Sequence, residues 1–96
     1  MVIVAASIEL YLPGVNSLKA KRSVIKPLIS RLHKHFNIAV AEVDLQDAWG
    51  SAVLGVAIVS NSGPHAESKL ETVLGWIERN WPQAEVLGHT FEVIHV

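Results

Sequence analysis

Three cations fall within four positions in the stretch "NSLKAKRS", residues 16–23: Lys19, Lys21 and Arg22. Lys26 follows one helical turn after Arg22. Ammonium and guanidinium groups spaced this way hold anions, because each brings a full charge and N–H donors that suit phosphate oxygens. The stretch reads as the first turns of a helix, where free backbone N–H groups and the helix dipole already favour an anion. Cations at that end work against an isolated helix. They call for an acidic group inside the fold or a phosphate outside it. Trp49 is the other group with chemistry to offer. Beside cations, its ring can stack on a nucleobase; in a domain this small it is expected to cover the core over Leu18 instead.

The remaining polar residues point away from catalysis. His33 and His35 stand two apart on the expected helix and face different ways. His89 and His95 share a strand face but lie roughly 20 Å apart at strand rise. No Ser/His/Asp grouping forms, and neither a metal nor a cofactor is called for. A phosphate-processing enzyme of the acylphosphatase type shares the element order derived below, and "PGVNSLKAKR" sets a Gly, an Asn and Arg22 after the first strand. The spacing differs from that family's, and no Asn partner to position a water is evident, so this is a distant third reading.

These groups sit in 96 residues, half of them apolar, enough for one domain with a modest core. No stretch approaches the roughly 18–20 apolar residues of a membrane span. The start "MVIVAASI" has no basic flank and reads as a strand rather than a signal peptide. The chain has no cysteine, in keeping with a cytoplasmic protein. A net charge of −1 hides an asymmetry. In residues 1–36, Lys19, Lys21, Arg22, Lys26, Arg31 and Lys34 oppose Glu9 alone; in residues 37–96, Lys69 and Arg79 oppose eight acids. Such a split fits a surface built for an anionic partner, or basic and acidic elements that cancel side by side.

Periodicity supplies the elements. Residues 2–12 alternate, with Val2, Val4, Ala6, Ile8, Leu10 and Leu12 on one face. Residues 17–36 form a helix capped by Ser17 or Asn16, with Leu18, Ile25, Leu28, Ile29, Leu32 and Phe36 as its buried stripe. Pro27 lies opposite that stripe and should kink the helix, and Asn37 offers a left-handed stop. Strands follow at 38–43 and 51–60. A second helix opens at "NSGP", buries Ala66, Leu70, Val73, Leu74, Ile77 and Trp81, and ends at Pro82; the last strand is 85–96. The order β-α-β-β-α-β is the ferredoxin-like plan. With right-handed crossovers, this α+β fold is a four-stranded antiparallel sheet, order 4-1-3-2, with both helices on one face. Its top edge gathers loop 13–17, hairpin 44–50 and turn 81–84, which brings Lys19, Lys21 and Arg22 near Gln46, Asp47 and Trp49. By the helical wheel Lys21 points toward the buried side and must snorkel at the sheet edge, with Glu42 and Asp47 within reach. Lys19, Arg22 and Lys26 are freer. Lys19, Lys26 and His33 share a flank about 20 Å long.

The outer sheet face carries Val53, Gly55, Ala57 and Val59 on strand 3, with Ile3 and Ala5 on strand 1. It lacks the aromatics with which RNA recognition motifs stack bases. Small and apolar, it is expected to be an interface through Ile3, Ala5, Val53, Ala57 and Val59, most simply with a second copy. Glu42, Asp44, Glu85 and Glu92 fall on edge strands, where charge discourages aggregation.

The segment "LPGVNSLKAKRSVIKPLISRLHKHFNIAVAEV", followed by "DAWGSAVLGVAIVSN", resembles the YlxP-like bacterial family, a domain of unknown function. The resemblance rests on Ser17 to Arg22, Phe36 and Asn37, Ala41 to Val43, and Asp47, Trp49, Ala52 and Gly55. It covers nearly the whole chain; Pro27 departs from it, where a helix former is expected. It implies a ferredoxin-like fold and a small cytoplasmic protein. Genes of that family often sit among genes for transcription and translation, near a ribosome-binding factor, which implies RNA or ribosome binding by association and no catalytic residues. The sequence thus leads to a non-enzymatic module that binds RNA or a ribosomal particle through Lys19, Lys21, Arg22, Lys26 and Trp49. The alternative is a homodimeric scaffold that uses its outer sheet face.

Overall fold

Val2, Val4, Ala6, Ile8 and Leu10 alternate with Ile3, Ala5, Ser7 and Glu9. A computed structural model, which describes residues 1–96, turns the first set into the core along β1 (Val2–Tyr11). Six elements follow the expected order: α1 (Leu18–His35), β2 (Ala39–Asp44), β3 (Ser51–Ser60), α2 (Gly63–Asn80) and β4 (Glu85–His95) come after β1. The sheet is antiparallel with order β2-β3-β1-β4. This is the α+β, ferredoxin-like arrangement read from the sequence, with both helices on the inner face.

The register fixes the two faces. Val4 stands opposite Ile58 and Val93, and Ile8 opposite Leu54, all on the helix side. Ile3 opposite Val59, Ala5 opposite Ala57 and Ser7 opposite Gly55 lie on the outer side, which no helix covers. Leu28 and Leu32 of α1 and Leu70, Val73 and Ile77 of α2 close the core from the other side. Two bulges interrupt the edges. Val43 is the extra residue of β2, between Glu42 and Asp44, and Leu87 is the extra residue of β4. Val43 leans over Gly55, where a Cβ would come within 2.7 Å of Val43 Cγ1, so the third strand needs a glycine there.

The ends of α1 differ in part from expectation. Ser17 caps it as anticipated, its Oγ accepting from the Ala20 N–H at 3.0 Å. At the other end no left-handed stop occurs at Asn37; Phe36 turns extended and packs its ring against the core. The positive φ of 58° belongs instead to Leu45, in the β2–β3 loop, where the neighbouring Asp44 carboxylate accepts from the Leu45 N–H at 2.8 Å. The helix runs unbroken through Pro27, which is exposed. Trp76, Trp81 and Phe36 pack between the two helices, and Trp81 Nε1 donates to the Val24 carbonyl at 3.2 Å. No helix is long and apolar enough to cross a membrane.

Candidate anion-binding surface and the open sheet face

Loop 45–50 has to turn back between β2 and β3, and its short path leaves carbonyls pointing inward. Lys21 fills that interior. It is 2% exposed, with Nζ 2.7 Å from the Leu45 carbonyl, 2.7 Å from the Ala48 carbonyl and 3.5 Å from that of Gln46. Glu42 Oε2 lies 2.7 Å from the same ammonium, the one ion pair in the chain, and no other group hydrogen-bonds to it. The three protons of Nζ therefore meet three close acceptors, which is what a buried ammonium requires. Lys21 is not available to an outside anion. It leaves the candidate binding set and becomes the bolt between α1 and the β2–β3 loop. The partner among the two reachable acids is Glu42 rather than Asp47, because Glu42 projects from β2 directly beneath the helix.

The other cations of the helix stay outside. Lys19, Arg22, Lys26, Arg31 and Lys34 are exposed, none pairs with an acid, and α1 contains no Asp or Glu. Arg22 and Lys26 border a cavity of about 380 Å³ between α1 and the loop, whose floor is Leu18, Ile25 and Ile29 and whose far rim is Asp47. Arg22 and Lys26 thus share an apolar floor with two carboxylates, Asp47 and the Lys21-paired Glu42, an arrangement that accepts a group with an anionic end and an apolar or hydrogen-bonding body.

Trp49 corrects the expectation that it covers the core. It is 54% exposed. Leu18, which it was expected to cover, instead floors the open cavity, while the Lys21 ammonium and its carbonyl partners occupy the interior of the loop. Gly50 is held by Leu12, whose N–H donates to the Gly50 carbonyl at 2.8 Å. With both sides of the loop committed to polar contacts, the indole turns to solvent beside the basic helix. Its exposure is legible only once Lys21 is known to occupy the loop.

On the opposite side of the molecule the outer sheet face forms an open trough of about 800 Å³. Its floor is Ala5, Ser7, Ala41, Gly55 and Ala57. The residues named from sequence as an interface are all on this face: Ile3, Ala5, Val53 and Ala57 half-buried, and Val59 64% exposed. Glu9 and Glu92 stand on it too, and it carries no Lys or Arg. The molecule therefore has a basic helix on one side and an apolar, weakly acidic face on the other.

A family model described as "Protein of unknown function (DUF503)" matches residues 3–91. The chain is 35% identical over 80 residues to an uncharacterized protein, YlxP, of Bacillus subtilis (strain 168), covering 83% of this chain and 86% of that protein. Among solved structures, a de novo designed protein with a ferredoxin fold superposes with a TM-score of 0.60 at 15% identity, covering 100% of this chain and 88% of the other. At that identity the likeness speaks for the fold alone.

Proposed function

This chain belongs to the DUF503 family, and from that premise we propose that it is an RNA-binding protein, free or on a ribosomal particle, that works without catalysis of its own. The observation that supports this reading is the α1 surface. Lys19, Arg22, Lys26, Arg31 and Lys34 are exposed, unpaired and free of any acid on the same helix. Cations with internal partners would not bind counterions; these five are free to, and displacing those counterions is what drives phosphate binding. Exposed Trp49 at the top of the same surface supplies a stacking platform. The outer sheet face, with Glu9 and Glu92, repels phosphate, so RNA is read by the helix side rather than the sheet. A partner of this kind places the chain in the cytoplasm.

Binding of single-stranded RNA should weaken steeply with salt. Replacing Lys19, Arg22 and Lys26 together by Ala should lower the slope of log affinity against log salt by about 2. Trp49→Ala should cost about 1 kcal/mol without altering that slope. Filter binding or fluorescence anisotropy across a salt series measures both. A triple variant that binds as wild type does, at every salt concentration, sinks the reading.

The trough favours a second reading, a homodimeric scaffold or other protein-docking module. Half-buried Val53 and Ala57 beside exposed Val59 make an apolar patch with small residues at its floor, open enough to seat another chain. Ala57→Glu would place a charge in that floor. Loss of a partner from this variant, with the fold intact, is the result that supports it.

A further inference from the structure

The outer edge of β4 is a row of unpaired backbone groups whose identities follow from the register. Met1 and Val96 exchange both main-chain hydrogen bonds, Met1 N to Val96 O at 3.0 Å and Val96 N to Met1 O at 2.8 Å. The β1–β4 pairing then runs without a shift from Val2↔His95 to Glu9↔Gly88. In an antiparallel ladder, doubly bonded pairs alternate with pairs whose N–H and C=O point away from each other. Ile94, Glu92 and Thr90 therefore bond β1. His95, Val93, Phe91 and His89 turn their backbone groups outward, and β4 is the last strand of the sheet.

This edge is guarded only at its start, by Glu85 and the bulge at Leu87. The opposite edge, β2, is six residues long, bulged at Val43, and bears Glu42 and Asp44. By contrast β4 has eleven residues with no Lys and no Pro, and its bulge lies near one end, at Leu87. Glu92 does not defend it, because its backbone is bonded to Ala5 and its side chain projects from the outer face. Phe91, on the helix side opposite Ala6, remains 43% exposed, its ring stacked on His89 at 6.4 Å. A long, apolar strand edge of this kind is a template for another strand.

We propose that β4 pairs antiparallel with β4 of a second copy about a two-fold axis at Thr90, joining the two sheets into one of eight strands. Outward-facing residues must meet outward-facing residues, which any residue-centred axis satisfies, so the facing side chains choose the centre. One at Phe91 would set Thr90 against Glu92 and leave the two Phe91 rings opposite each other without His89. A centre at Glu92 would set that carboxylate against its own copy, which is destabilising. A centre at Thr90 places the two threonines side by side, where their hydroxyls can bond, and sets Glu92 opposite Gly88, which has no side chain. It also sets Phe91 opposite the partner's His89 twice over, so the two stacked ring pairs interleave and cover the exposed faces of both Phe91 rings. The interface is isologous and closes on itself.

Sedimentation equilibrium of the full chain over micromolar concentrations tests this. The expected result is a dimer that Phe91→Lys converts to monomer, the mass falling by half while circular dichroism is unchanged. Phe91→Pro should do the same, since the N–H it removes bonds nothing within the subunit. Thr90→Cys should give a disulfide-linked dimer on mild oxidation, because facing residues of a non-hydrogen-bonded pair stand close enough to bridge. If Phe91→Pro does not fold, Phe91→Lys and Thr90→Cys decide. A wild-type chain that is monomeric throughout, a dimer that survives Phe91→Lys, or one that dissociates only on Ala57→Glu overturns the edge pairing.

Discussion

Lys21 takes a full charge out of water at the start of a helix whose dipole resists it. Three acceptors within 2.7 Å offset that cost, and two of them are carbonyls of a loop that has few other partners. The residue therefore holds the loop closed more than it contributes through charge. Lys21→Ala would leave Glu42 Oε2 and the Ala48 carbonyl without a donor, the Leu45 carbonyl keeping only the Ala48 N–H at 3.0 Å, and should destabilise the fold by about 3 kcal/mol. Lys19→Ala and Arg22→Ala, which touch nothing charged, should stay within about 0.5 kcal/mol. Urea denaturation of the three variants makes the comparison. Equal stabilities would mean that Lys21 is not the bolt that its contacts describe. The neighbouring cations share its sequence context and not its surroundings, and only those surroundings separate a structural ammonium from a ligand-binding one. The sequence placed Lys21 toward the sheet edge from the helical wheel, but it could not choose between Glu42 and Asp47 or foresee that loop carbonyls would hold the ammonium and that Trp49 would leave Leu18 uncovered.

Helix α1 is amphipathic in a way that assigns each side one task. Ile25, Leu28 and Leu32 face the sheet, and the cations face out. Pro27 sits on the outward side, where its missing N–H leaves the Ser23 carbonyl to water rather than burying it unpaired. Replacing it with Ala restores that bond and a good helix former at an exposed site. Pro27→Ala should raise stability by roughly 1–3 kcal/mol, read as a higher Tm, with no loss of RNA affinity, because no cation moves. A lower Tm would mean that the proline shapes the helix to fit α2 through the Trp81–Val24 contact. The strands show the same division. Along β1 and β3 every second residue enters the core, and the short period made those faces readable. Strand β4 was harder to read: its alternation is broken at Leu87, and its exposed Phe91 falls on the core side of an uncovered edge.

At the scale of the whole molecule the charge split along the chain becomes a split across space. The free cations of α1 lie on the helix side, while Glu9 and Glu92 lie on the bare sheet. Two surfaces so placed should act independently, since distant substitutions add. Ala57→Glu is expected to leave RNA affinity and its salt slope unchanged, and the α1 triple variant to leave the oligomeric state unchanged. Anisotropy titrations and sedimentation on both proteins test this; a coupled response in either would place the RNA across the dimer rather than on one subunit.

The sequence by itself determined the element order, the sheet topology, the inward and outward sets of each central strand, and the basic character of the first helix. Those follow from periods of 2 and 3.6 residues and from capping residues, which act over a few neighbours. Only the tertiary structure decided which cation is buried, which acid it meets, which way Trp49 turns and which strand edge is left open. Each of those depends on groups far apart in the chain: Lys21 on Glu42 and the carbonyls of loop 45–50, and β4 on a neighbour that its own sheet does not supply.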